Sequence, residues 1–298
     1  MHKCIFCHKD VSISKSVEHI IPESLGNKSH VLPKGYVCDE CNNYFARKVE
    51  KELLAMPYFI SMRSRNNILS KKGKYVKNKF LFPSILQETD GIIEFSEDAI
   101  DIFLESPEVF DAINNKKCNT MLSLYLPEPE YPSRIVSRFL AKCAYEFFLY
   151  QMPREMYDEC VDEFMQDTSP NKSLENIRKY ARYGEGEFWE YSQRRIFSEG
   201  TLWVNEDSFV PFERLHQMKL FVRETSHEGD DKIYAEVYYI LEMNGVEYSI
   251  CLSDTDISEY DKWVEEHPGQ SPLDDNKEKQ LPFGIYDVNP LLIRKDTI

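Results

Sequence analysis

No stretch of this chain of 298 residues approaches the ~18 consecutive apolar residues that a helix needs to cross a bilayer. Its opening Met-His-Lys-Cys-Ile-Phe-Cys also lacks the apolar run and small-residue cleavage site of a secretory signal. A cytoplasmic protein without membrane partners is expected. In a reducing compartment the eight cysteines are not read as a disulfide framework. No internal repeat is present. Acidic residues are missing from one interval: none lies between Glu52 and Glu88, where Arg63, Arg65, Lys71, Lys72, Lys74, Lys77 and Lys79 all fall. What is plentiful is core material, 42% hydrophobic and 13% aromatic, enough for one large or two ordinary folded domains.

The net charge of -15 argues against a polyanionic partner only until it is divided along the chain. Residues 1–87 carry 15 Lys and Arg against 7 Asp and Glu, and the remainder carries 21 against 44. Nucleic acid is thus expected at the N-terminal third and repelled elsewhere. The plainer reading of the basic run is a solvated loop. The acidic part is better suited to a protein partner, a small ligand or self-association.

Hydrophobic periodicity outlines an α+β protein of three segments: a compact metal-held unit at residues 1–57, a basic connector at 58–95 and an acidic domain of helices followed by antiparallel strands at 96–298. Phe45, Val49 and Leu53 recur every four residues, which predicts a helix over 39–55 ended by Pro57. Val76, Phe80 and Phe82 hint at a strand closed by Pro83. After Pro132, Ser133 is a plausible cap for a helix whose apolar stripe includes Val136, Phe139, Leu140, Cys143 and Phe147. Further helices are expected over 154–165 and over 174–183, the latter stopped by Gly184. Ile233, Ala235, Val237, Tyr239 and Leu241 alternate, Asn244-Gly245 supplies a two-residue turn, and Val246, Tyr248, Ile250 and Leu252 alternate back. Leu220 and Val222 add a third strand, and the polar tail from Glu265 reads as irregular.

Two C-x2-C knuckles, Cys4-Ile5-Phe6-Cys7 and Cys38-Asp39-Glu40-Cys41, can present four thiolates to one zinc ion. Closed by four cysteines, such a zinc is structural. Cys118, Cys143, Cys160 and Cys251 are scattered and read as small buried hydrophobes. The 30 residues between Cys7 and Cys38 exceed the ~15–20 of a plain four-cysteine finger, so the insert has its own task. It contains Ser16-Val17-Glu18-His19-Ile20-Ile21-Pro22-Glu23-Ser24-Leu25-Gly26. In a regular strand Glu18 and His19 point to opposite faces.

The ordered set C-x2-C, E-H-I-I-P-x-S-L-G and V-C-x-x-C-N, over roughly residues 4–50, resembles the zinc-knuckle branch of the HNH endonucleases. The resemblance implies a ββα-metal fold in which the insert supplies two strands and residues 38–54 the helix. It implies His19 as general base, with Glu18 and Asn42 holding a catalytic divalent ion, usually Mg2+, and DNA as the nucleic acid cut. Phosphodiester hydrolysis requires an activated water and neutralisation of charge on the leaving oxygen, which an imidazole and an oxygen-bound ion supply. Family likeness further suggests a setting in restriction or phage defence. Two features depart from the pattern. Pro33 stands where the middle asparagine is expected, with Asn27 as a nearby substitute, and Glu18 stands where many relatives have Asp or His. An inactive zinc-dependent binding module, or a nuclease gated by a nucleotide on the acidic domain, are the alternatives. His8, His30, Glu23 and Asn43 have no committed role.

Overall fold

A computed structural model describes residues 3–70, 72–82, 87–95, 100–115, 123–124, 128–153, 156, 172–198, 201–205, 211–226, 233–274 and 278–280. In chain order the elements are α1 (Asp39–Phe45), continued by a π-turn (Ala46–Glu50) into α2 (Lys51–Leu54); α3 (Pro57–Arg65); β1 (Asn78–Phe82), β2 (Gln87–Phe95) and β3 (Ile100–Leu104); α4 (Pro107–Asn114); β4 (Ser123–Leu124); α5 (Arg134–Tyr150); α6 (Lys172–Tyr183); β5 (Tyr191–Arg195), β6 (Leu202–Asn205), β7 (Pro211–Glu213), β8 (His216–Ser226), β9 (Ile233–Met243) and β10 (Val246–Cys251); α7 (Ser258–Glu266); and β11 (Glu278–Gln280). Helices with antiparallel sheets make this an α+β protein. Among the described residues no helix is long and apolar enough to cross a membrane.

Compactness divides the chain differently from the three sequential segments. One unit holds the described residues of 1–22, 27–53 and 131–281, and the other holds those of 23–26 and 54–130. The physical reason lies in α5. Val136, Phe139, Leu140, Ala141, Cys143, Ala144, Tyr145, Phe147 and Leu149 bury it almost all round, which only a central helix can achieve. Ser133 stands at its N-cap without a side-chain capping bond, and its N–H instead donates to the Tyr191 hydroxyl at 2.9 Å. On one side α5 meets the N-terminal segment, where Phe6 and Tyr145 rings lie 5.4 Å apart. On another it meets the main sheet, of order β5-β10-β9-β8, through Phe147 and Tyr239 at 5.6 Å. Helix α6 packs beside α5 and ends at Gly184, whose φ is +71° and whose N–H donates to Tyr180 O at 2.9 Å.

Asn244 (φ +51°) and Gly245 (φ +86°) form the expected turn, pairing Met243 with Val246 across β9 and β10. A Cβ at Gly245 would run into the Phe197 carbonyl. Gly245→Ala is therefore expected to lower stability by at least ~2 kcal/mol, read by urea denaturation; an unchanged midpoint would contradict this packing. Alternation in these strands implies one wet face, yet Tyr238 to Met243 and Val246 to Cys251 are buried on both. The second face is covered by Ile257, Tyr260 of α7 and Leu273, packed on Tyr238, Ile240 and Cys251. The tail is accordingly ordered at Leu273, and β11 pairs with β6. Strand β5, with Gln193, Arg194 and Arg195, carries no apolar alternation and was not readable.

The second unit carries a sheet of order β3-β2-β1-β4, with α3 packed on β1 and β2. Pro57 opens α3 at its first turn, so the segment after it is folded rather than a linker. The strand expected around Val76 begins at Asn78. Asn78 Nδ2 donates to Ser64 Oγ at 2.5 Å, tying β1 to α3. The helix read over 154–165 lies outside the described residues but for Met156, as do Cys118 and Cys160.

Candidate functional site

Each knuckle is a tight turn closed on its own backbone. Cys4 N–H donates to Lys9 O at 2.8 Å and His8 N–H to Cys4 O at 2.9 Å, with His8 in the left-handed region at φ +57°. In the second, Cys41 N–H reaches Cys38 Sγ at 3.4 Å as α1 begins. The two are joined by Ile5 N–H to Tyr36 O at 2.9 Å and Cys38 N–H to Cys4 Sγ at 3.3 Å. The ligand atoms of Cys4, Cys7, Cys38 and Cys41 all lie within 4.8 Å of one another. A zinc tetrahedron with Zn–S near 2.3 Å has edges of about 3.8 Å, so the four sulfurs fit that ion. Crowded together, they cannot ionise equally. Contacts with Cys4 and Cys41 draw Cys7 far below the usual thiol range, and contacts with Cys4 and Cys7 drive Cys41 far above it. A dication resolves that conflict.

Support for the knuckles comes from far along the chain. Arg182 of α6 donates Nε–H to Cys41 Sγ at 3.2 Å, and its guanidinium lies 3.7 Å from the centre of the Tyr44 ring. Arg178, paired with Glu175 at 2.6 Å, donates to Phe6 O, and Tyr145 of α5 donates to Ile5 O at 3.1 Å. Four thiolates around one dication leave an excess of negative charge. A guanidinium against one sulfur is the appropriate complement.

The insert departs from the two strands implied by resemblance. Regular pairing is reduced to a single bridge, His19 opposite Val31, flanked by Leu32 N–H to Glu18 O at 2.8 Å and Ile20 N–H to His30 O at 3.1 Å. What shapes the loop is Asn27, fully buried. Its Nδ2 donates to Ile21 O at 2.7 Å and His30 O at 2.9 Å, while its Oδ1 accepts from Ser29 N–H at 3.1 Å and His30 N–H at 3.0 Å. Asn27 thus braces the loop, the task that Pro33, exposed and without an N–H, does not perform. Asn27→Ala is expected to cost roughly 2–3 kcal/mol, since buried backbone groups lose their partners. Chemical denaturation checks this, and a loss below ~0.5 kcal/mol would be inconsistent with four such bonds.

Two side chains, Asn42 and Asp39, tie this loop to the start of α1. Asn42 Nδ2 donates to Val17 O at 3.1 Å, two residues ahead of His19. Asp39 Oδ1 accepts from the N–H of Lys15 at 3.0 Å and of Ser16 at 2.8 Å, and from Ser16 Oγ at 2.6 Å; the Ser16 bonds hold its carboxyl below the usual range. The role of Asp39 was not visible in the sequence, where it reads as a helix-start acid. His19 is half-buried, and its Nδ1 is out of contact with solvent and without a hydrogen-bond partner among the described residues. A ring nitrogen without a partner keeps its hydrogen-bonding capacity for a group brought up to it.

Glu18 faces inward. Its Oε1 is bound at 2.7 Å by Nζ of Lys142, a residue of α5 with no exposed surface. One carboxylate oxygen of Glu18 is thus already engaged by a cation. Glu146, buried and 3.0 Å from the same ammonium, and the partly exposed Glu50, at 3.8 Å, complete a group of three carboxylates around one lysine. Burial pulls Lys142 down, but Glu146, Glu18 and Glu50 outweigh it and hold the ammonium well above its ordinary value. Burial also pushes Glu146 well above the usual carboxylate range, which favours a proton over a third full charge.

Burial lowers His8 to about 4 and also lowers His30, whose Nδ1 lies 3.1 Å from Ser29 Oγ. Glu23 and Asn43 are exposed. The described basic residues expected to grip phosphate belong to the second unit. Arg63 is buried in α3, which removes it from that set, and Lys77 pairs with Glu105 at 2.6 Å. Arg65 is half-buried, Lys72, Lys74 and Lys79 are exposed, and Lys71 lies outside the described residues.

Residues 4–57 match the HNH endonuclease family, and the cysteine cluster within them fits a zinc knuckle. That match points to nuclease activity in general and implies contact with nucleic acid. No curated protein and no solved structure matches the chain.

Proposed function

We propose that the protein is a metal-dependent endonuclease that hydrolyses DNA, with His19 as general base. The observation that carries this is the unpartnered, buried Nδ1 of His19 inside a family-matched motif whose loop is braced by Asn27 and anchored to α1 by Asn42 and Asp39. In this reading His19 accepts the proton of a water as its oxygen attacks phosphorus, and the bond to the leaving oxygen breaks to give a 5'-phosphate. Glu18 and the Asn42 carboxamide oxygen are the donors offered to a divalent ion of the Mg2+ class. Such hard ions commonly take one or two carboxylates and keep several waters. When bound, the ion neutralises charge on the leaving oxygen. Lys72, Lys74 and Lys79, with Arg65 and Lys71, are proposed to contact the phosphate backbone. A cytoplasmic setting in restriction or phage defence is proposed on family likeness alone.

The test is incubation of the purified chain with supercoiled plasmid, linear duplex, single-stranded DNA and RNA in Mg2+, Mn2+ or EDTA. Ion-dependent nicking of DNA is expected. Binding to DNA without cleavage of any substrate in either ion would instead establish a zinc-held binding module, the reading favoured by the engagement of Glu18 with Lys142.

A further inference from the structure

Resting on the nuclease reading, we infer that Lys142 is a positioning residue of the cleavage site, supplied to the HNH motif from α5. Lys142 lies far outside residues 4–57, and its ammonium has three N–H donors. They are met by Glu18 Oε1 at 2.7 Å, Glu146 Oε2 at 3.0 Å and the main-chain carbonyl of His19 at 3.0 Å, with Ile20 O at 3.3 Å beside them. Ile20 O also accepts from Cys143 Sγ at 3.0 Å. One side chain therefore holds the side chain of Glu18 and the backbone of the next two motif residues, and so fixes the peptide from which the His19 ring projects.

The rest of the loop cannot do this alone. Toward Val31 the Glu18–Ile20 stretch is held by two backbone bonds, Leu32 N–H to Glu18 O and Ile20 N–H to His30 O. The carbonyls of His19 and Ile20 point the other way, to α5. A compact ammonium suits convergent acceptors of this kind, whereas a planar guanidinium spreads its donors in a fork. Glu146, one turn along the same helix, stands against the far side of the charge.

The experiment compares the full chain with Lys142→Met and Lys142→Arg. Melting temperature and zinc content report the fold. Single-turnover cleavage and substrate affinity report the site, and amide exchange at Ile20 and Leu32 reports the grip without any cleavage. In a folded variant the proposal expects a rate lower by about tenfold to a hundredfold. Affinity should stay within about twofold, zinc should be retained, and exchange at both amides should be faster. Wild-type rate with wild-type exchange in a folded variant overturns the proposal. Loss of fold in both variants assigns Lys142 to stability alone and overturns it too. Should the wild-type chain cut nothing, the nuclease reading fails by itself, and the exchange data still decide whether Lys142 holds the motif.

Discussion

A fragment of residues 1–57 supplied with one equivalent of zinc is expected to bind the ion through its four cysteines and yet leave Glu18 to Leu32 without native order. Structural zinc releases roughly 10–16 kcal/mol in small fingers, so metal capture by Cys4, Cys7, Cys38 and Cys41 survives truncation. The loop has no such reserve. Phe6, Ile20, Ile21 and Phe45 are fully buried in the intact chain, and Phe6 lies against Tyr145 of α5. The carbonyls of Ile5, Phe6 and Ile20 would lose Tyr145, Arg178 and Cys143 as donors. Glu18 would lose the Lys142 ammonium that compensates it. Each buried group left unpaired costs about 1–3 kcal/mol, more for a charge. Amide exchange across residues 18–32, compared with the full chain, is the readout. Native protection in the fragment would show that the HNH segment is a portable module and would contradict its integration with α5 and α6.

The second large effect is chemical. His19→Ala is expected to lower the single-turnover cleavage rate by about 10²–10⁴-fold, the range that a positioned general base supplies. Its effect on stability should be small. The ring nitrogen Nδ1 makes no hydrogen bond among the described residues, and the bridge to Val31 is a backbone feature that alanine keeps. That separation makes the variant informative, since a lost rate with an unchanged melting temperature and zinc content cannot be assigned to unfolding. His30→Ala is the control. His30 contributes its backbone to the loop through Asn27, but its ring contacts Ser29 and is not placed in the chemistry.

What could be read from residues alone was local. Asn244-Gly245 announced the β9–β10 hairpin because two consecutive positive φ values suit those residue types. The two C-x2-C pairs announced the sulfur cluster because a knuckle is a turn written in four residues. Long-range support was hidden for an equally physical reason. Arg178 and Arg182 sit on a helix rich in charged residues and in the sequence resemble solvated charges, and nothing in their spacing says that a thiolate lies opposite. Lys142 and Glu146 did leave a trace. A lysine and a glutamate four residues apart, flanked by Ala141, Cys143, Ala144, Tyr145 and Phe147, interrupt a surface too apolar to face water, and a buried pair is what such a pattern means. Pro57 follows the end of α2 at Leu54, as a proline that stops a helix should, but proline equally starts helices at the first turn, and here it also opens α3. The double-sided burial of β9 and β10 depended on α7 and Leu273, whose approach no strand pattern encodes. Asn27, one of several polar residues in a loop, became the brace only because the chain folds back to bring Ile21 and His30 within reach of a single carboxamide.

The central claim is that the imidazole of residue 19 performs the proton transfer in ion-dependent DNA cleavage. Its most direct test is single-turnover plasmid cleavage in Mg2+ and in Mn2+ by the wild-type chain, His19→Ala and His30→Ala at matched zinc content. The account predicts cutting by the wild type and by His30→Ala and a drop of at least about a hundredfold in His19→Ala. Cleavage by His19→Ala at the wild-type rate would contradict it.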